Sequence, residues 1–288
     1  MKIIEPKVEL WKQGDDAEAH VARCARVCYG KETGNDKATV KRLIDSNHWS
    51  MFRHETYYAA VSIKKDSIIY KVLSNYKNCP YIKYFTYNDI CYIITNGNFI
   101  MDIKKDNPVL YNNILTFRIT EDYAKSIEFI FNHYVRYTFC IDTQISTSRE
   151  LNRVSPNNIA EKSTRYVYED GSICRPYWIS KKEAELYNND NNVDLDETIN
   201  IYLHECKNNF DAYKILIDKY KLNRQDARGV LLLDTATRCI YTYSIDEWRH
   251  ILDLRYYGTT GKPHPNARLI AGMIRDELIE LGYEFREL

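Results

Sequence analysis

Glycine and proline are scarce here, 10 and 7 among 288 residues, and no stretch rich in either marks a linker. No composition break and no internal repeat divides the chain, so one large domain is expected. No run of eighteen apolar residues occurs, which leaves no transmembrane helix to expect. Net charge is also absent, with 40 basic against 40 acidic residues. A nucleic-acid polymer or an anionic membrane would select a basic surface, so neither is an expected partner. The eight cysteines include no CxxC and no paired spacing, which argues against structural zinc and disulfides and for reduced, mostly buried thiols. Met1-Lys-Ile-Ile-Glu-Pro lacks the layout of a signal peptide, and a cytoplasmic protein is expected.

What is present reads as an α+β chain, a mixed or antiparallel sheet with packed helices. Residues 2–11 read as a strand, with Pro6 suggesting an edge. Apolar spacing predicts helices over 16–28, 38–46, 122–134 and 246–255. A last helix is expected over 265–281, and Pro265 suits its first helical position. A helical stretch over 181–221 is broken by the acidic, Asn-rich loop 188–194. Residues 57–63, 136–141 and 236–243 read as strands. Between about 66 and 119 lies a β-rich insertion, with Asn96-Gly97 as its hairpin signal. Asn223-Arg-Gln-Asp226 resembles a capping box opening a helix that runs through Ala227–Leu233.

The densest chemistry lies in Arg149-Glu-Leu-Asn-Arg153-Val-Ser-Pro-Asn-Asn-Ile-Ala-Glu161-Lys-Ser163-Thr-Arg165-Tyr166. If Glu161–Tyr166 is extended, alternation points Glu161, Ser163 and Arg165 the same way. A carboxylate, a hydroxyl and a guanidinium in a row suit an anion that carries a hydrogen-bonding ring, such as a nucleotide. On a helix, Arg149 and Arg153 share a face, with Glu150 one turn from Arg153. Asp226-Ala-Arg228 places an arginine one turn into a helix, and Leu254-Arg255 ends another, where a cation complements the dipole. His48 and His54 are six apart, which suits no metal pair on a helix or strand, and no metal site is expected.

Taken in order, Ala25-Arg-Val-Cys-Tyr29, the His48–His54 stretch, Arg149-Glu-Leu, Glu161-x-Ser163-Thr-Arg165-Tyr, Asp226-Ala-Arg228, Leu254-Arg255 and Gly261-Lys-Pro-His-Pro265 resemble the flavin-dependent thymidylate synthases. The similarity runs from about residue 2 to the C-terminus and includes the insertion seen in one branch of that family. The resemblance implies conversion of dUMP to dTMP with methylenetetrahydrofolate as one-carbon donor, FAD as cofactor and NADPH as its reductant. It implies a homotetramer with sites at subunit interfaces. It assigns Glu150, Glu161, Ser163, Arg165, Arg228 and Arg255 to dUMP. Arg165 and Arg228 would anchor phosphate and ribose. Arg255 would polarise the uracil carbonyl, and Ser163 would position the nucleotide rather than attack it. His54, Thr56, Arg153, Ser155 and His250 fall on flavin positions.

The chain departs from that pattern where the family carries Arg-His-Arg, here Arg153-Val154-Ser155, and at Arg53, where the family usually has Glu. Two further functions follow from these departures: an enzyme of the same fold acting on another pyrimidine nucleotide or one-carbon donor, and a non-catalytic nucleotide-binding paralogue.

Overall fold

Nine strands form three sheets in a computed structural model that describes residues 1–14, 16–63 and 68–287. Asp15, which precedes the first predicted helix, and residues 66–67, the start of the predicted insertion, lie outside the described residues. The strands are β1 (Lys2–Ile4), β2 (Lys7–Trp11), β3 (Thr56–Ser62), β4 (Ile82–Tyr87), β5 (Ile90–Asn96), β6 (Arg136–Gln144), β7 (Ile159–Glu161), β8 (Ser172–Cys174) and β9 (Ala236–Ser244). The central sheet has the order β2-β6-β9-β7, antiparallel throughout. The fold class is the α+β arrangement read from the sequence.

Pro6 divides the predicted first strand. It has no N–H for a ladder, and the chain changes sheets there. β1 pairs in parallel with β8, and β2 pairs with β6.

Alternation along β6 and β9 sorts the core into two layers. Tyr137, Phe139, Ile141, Cys239, Tyr241 and Tyr243 face one side. There they pack on Trp248 of the helix Ile245–Leu252 and on Ile270 and Ile274 of the helix Pro265–Glu280. Cys140 and Ile240 face the other side and meet Val21, Cys24 and Ala25 of the helix Ala17–Val27. That helix begins where Asp16 accepts from the Ala19 amide at 2.9 Å.

The stretch expected to be a β-rich insertion is only half β. Its hairpin joins β4 to β5 at Asn88-Asp89, both in the left-handed region at φ 49° and 58°, as a two-residue primed turn requires. Asn96-Gly97, the expected hairpin, instead starts the helix Gly97–Asp106. The Asn96 side chain accepts from the Phe99 amide, a strong N-cap. Gly97 is needed for close approach, because a Cβ there would sit 2.9 Å from the Phe52 carbonyl oxygen. A second helix follows at Pro108–Thr116.

Other boundaries moved by smaller amounts. The predicted helix over 122–134 is two short ones, Glu121–Lys125 and Glu128–His133. The 181–221 stretch is the helices Lys181–Asn189 and Glu197–Asp218, with the loop where expected. Asn223 makes no side-chain cap, and its helix stops at Ala227 instead of continuing to Leu233. The helix from Ile245 passes at Asp253 into a π-helical turn, Asp253–Tyr257, that carries Arg255.

Candidate functional site

The helix Ile145–Leu151 is the scaffold on which two groups of predicted residues meet. It follows β6 directly and lies over the face of β9 that carries Thr237 and Cys239. From it Ser148 donates to Glu161 Oε1 at 3.0 Å, and Thr237 donates to the same oxygen at 3.0 Å. Strand register brings them together, since β7 sets Glu161 opposite Cys239. Burial, reinforced by the Glu161 carboxylate, pushes the Cys239 thiol well up, so it stays protonated and is no nucleophile.

Beyond Glu161 the chain is not extended. The last ladder bond runs from Lys162 N–H to the Arg238 carbonyl at 2.9 Å, and a turn begins. The Ser163 amide donates to Cys28 O at 3.1 Å, and the Ser163 carbonyl accepts from Tyr166 and Val167. Its hydroxyl accepts from the Arg165 amide at 3.3 Å. Glu161, Ser163 and Arg165 are therefore not a strand row. A turn satisfies backbone groups that a one-sided strand end would leave open.

Around that turn lie three exposed guanidiniums. Arg165 sits over the Tyr166 ring, 5.3 Å from its centroid. Arg228 donates to Thr164 Oγ1 at 3.2 Å, and Arg224 donates to the Tyr166 carbonyl at 2.5 Å. Among the described residues none of the three has a carboxylate within 4.0 Å. Arg228 stands at the end of a four-residue helix, not one turn into a longer one.

Glu150, on the same scaffold helix as Ser148, joins Arg255 to this region. Arg255 Nε donates to the Glu150 carbonyl at 2.6 Å and lies 3.2 Å from its carboxylate. Burial, followed by the charge of Arg153, pulls the Arg255 guanidinium below its ordinary value, while Glu150 opposes this. Arg153 reaches Glu150 at 3.7 Å. It does not share a helix face with Arg149, because the helix ends at Leu151; both arginines are exposed.

The remaining flavin-position residues fall elsewhere in the chain. His54 is 1% exposed, on the opposite face of the central sheet. Its Nδ1 bonds Thr242 Oγ1 at 2.8 Å, Thr242 bonds Thr138 at 2.7 Å, and Thr138 bonds His20 Nε2 at 3.2 Å. Burial, aided by His20 and the nearby arginines, pushes His54 down to about 3; burial and Arg23 push His20 down to about 4. Both rings are neutral at pH 7. Thr56 accepts from Arg136 at 3.2 Å and lines a cavity of about 650 Å³ with Gln13, Arg118 and Lys125. Ser155 and His250 are exposed, while Val154 packs against the main core.

Within one chain, Glu150, Glu161 and Arg255 lie at the helix Ile145–Leu151, Ser163, Arg165 and Arg228 lie at the turn after Glu161, and His54 and Thr56 join neither. Ser148, Thr237 and Arg224 were not singled out in the sequence. Only Arg224 left a signal, its four-residue spacing from Arg228. No group of three or more His, Cys, Asp or Glu among the described residues could hold a metal ion, and all eight cysteines are free.

Comparison with known proteins places these residues in a family. No curated protein matches the chain. Among solved structures it is similar to the UMP/dUMP methylase PolB from Streptomyces cacaoi bound with 5-Br dUMP, at 15% identity and a TM-score of 0.45, covering 98% of this chain and 93% of that one. It is also similar to Thymidylate Synthase X from Helicobacter pylori with FAD and dUMP, at 15% identity and a TM-score of 0.37, covering 61% and 81%. The profile of the thymidylate synthase complementing protein family matches residues 118–281, more than half of the chain, which spans every arginine of the turn as well as Glu150 and Arg255. The chain belongs to the thymidylate synthase complementing protein family.

Proposed function

We propose that this protein binds dUMP and methylates its uracil ring, as a flavin-dependent thymidylate synthase. The observation that carries the reading is the set of three guanidiniums around the Ser163–Tyr166 turn, next to Glu161, that have no carboxylate partner among the described residues. Unneutralised like charges repel, and a phosphate relieves that repulsion through charge-assisted hydrogen bonds. Arg165 and Arg228 take the phosphate and the ribose side, and Ser163 positions the nucleotide. Glu161, held by Ser148 and Thr237, offers an acceptor to the ring. Arg255, oriented by Glu150, donates to the uracil carbonyl where negative charge grows as hydride arrives.

FAD, if bound and reduced by NADPH, would supply the hydride, and methylenetetrahydrofolate would supply the carbon. Thr56, Arg153, Ser155 and His250 are the residues we assign to FAD; their exposure or cavity position suits contact with a ligand. His54, enclosed behind Thr242, fits a supporting part rather than direct contact. A homotetramer with sites between subunits is the assembly that would unite the two separated sets. We read the chain as one domain with an insertion at about 66–119, working in the cytoplasm.

One observation favours a second reading, an enzyme of this fold with another pyrimidine nucleotide or one-carbon donor. Val154 packs into the core where the family places a polar side chain, and Ser155 adds no charge. Visible absorbance with and without added FAD, combined with dUMP titration, tests both. Flavin bands and dUMP-dependent, folate-dependent dTMP formation are expected. Flavin uptake without dUMP turnover would select the second reading, and colourless protein that takes up no FAD would sink the first.

A further inference from the structure

We propose that Arg224 is a positioning residue for the anion site, clamping the Ser163–Val167 turn through the Tyr166 carbonyl; this rests on the nucleotide reading above. The turn is fastened from three sides. The Ser163 amide ties it to Cys28, Arg228 ties Thr164, and Arg224 ties Tyr166. Arg224 and Arg228 are four residues apart on one helical turn, so both reach the same neighbour. The two bonds flank Arg165, whose own guanidinium has the Tyr166 ring beside it.

Some other surface arginines are neutralised, while Arg23, Arg42, Arg118 and Arg268 lie over aromatic rings and take no part in holding the turn. Arg249, Arg275 and Arg286 each face a carboxylate, Asp246, Asp276 and Asp253 respectively. Arg224 commits one N–H to a carbonyl and keeps its charge unneutralised among the described residues. Its guanidinium lies 5.9 Å from the Tyr168 ring centroid, and the Tyr168 hydroxyl is fixed by Asp218 at 3.2 Å. A planar fork can hold a carbonyl and still present further donors, which an ammonium on a flexible stem does less well. The clamp therefore serves the phosphate of the ligand and not its ring.

The test compares wild type, Arg224→Ala and Arg224→Lys for binding of dUMP, of deoxyuridine and of inorganic phosphate, the last followed as a rise in melting temperature. Arg224→Ala is expected to weaken dUMP about tenfold, because the turn that carries Arg165 loses its bond at Tyr166. It should leave deoxyuridine unchanged, abolish stabilisation by phosphate, and raise KM with kcat nearly constant. Arg224→Lys should recover part of the dUMP affinity. The clamp is overturned if Arg224→Ala binds dUMP as wild type does, or if dUMP and deoxyuridine weaken equally. If wild type ignores dUMP but gains Arg224-dependent stability from phosphate, the clamp stands and the nucleotide reading falls. If neither ligand affects wild type, both fall.

Discussion

The two faces of the central sheet use polar residues in opposite ways, although β9 serves both. On one face Thr237 leads to Glu161, Ser148 and a turn ringed by exposed, unneutralised arginines. On the other, farther along the same strand, Thr242 leads to a buried chain of Thr138, His54 and His20 in which neutral groups bond one another, with His54 Nε2 left without a partner among the described residues. Water and a ligand can reach the arginines of the first set, although Ser148 and Thr237 are themselves buried. The second can only be satisfied internally, because an unpaired buried polar group is costly. Polar residues of similar kind thus border an exposed cationic turn on one side and lie enclosed on the other.

Changes on the two faces should separate these roles. The largest effect is expected from Arg165→Ala combined with Arg228→Ala: a roughly 100-fold weakening of dUMP in calorimetric titration, from two lost charge-assisted contacts, with an unaltered denaturation midpoint. A large loss of stability would instead make the arginines structural. Thr242→Val should do the converse. It strips His54 and Thr138 of a shared partner and should cost ~2 kcal/mol in urea unfolding, while folded protein keeps its dUMP affinity. A mutant as stable as wild type would show that the buried chain matters little.

A third effect, confined to acid and absent at neutral pH, is a pH dependence. His54 and His20 have native values near 3 and 4, below the unfolded value of 6.5. Above pH 6.5 both states hold them neutral and the native state keeps its full stability. As the pH falls below that value, the unfolded chain takes up protons that the native chain refuses. Stability should decline towards pH 4, by of order 1 kcal/mol per pH unit for each histidine. His54→Gln should flatten that decline in denaturation measured across pH; an unchanged slope would assign it to other groups.

Much of the fold was legible because helices and strands announce themselves through local periodicity. The Ala17–Val27 helix, the paired strands β6 and β9, and the closing helix from Pro265 all fell close to their expected places. Misreadings came where one local signal fits two structures. Asn-Gly suits a hairpin as well as a helix N-cap, and at Asn96 the approach of Phe52 and the Phe99 amide decided for the cap. Glu161–Tyr166 could alternate as a strand, but after Lys162 the Ser163 amide turns to the Cys28 carbonyl instead of following β9.

The sequence alone determined which residue types crowd into 149–166, and the order of the later motifs, which lie within the family match over 118–281. Those are properties of neighbours along the chain. Only the tertiary structure decided that Ser148 and Thr237 grip Glu161, that Arg224 reaches Tyr166 across 58 positions, and that His54 meets Thr242 across 188 and is sealed from solvent. Such contacts depend on which strands pair and which face each residue takes, and local spacing does not encode either one.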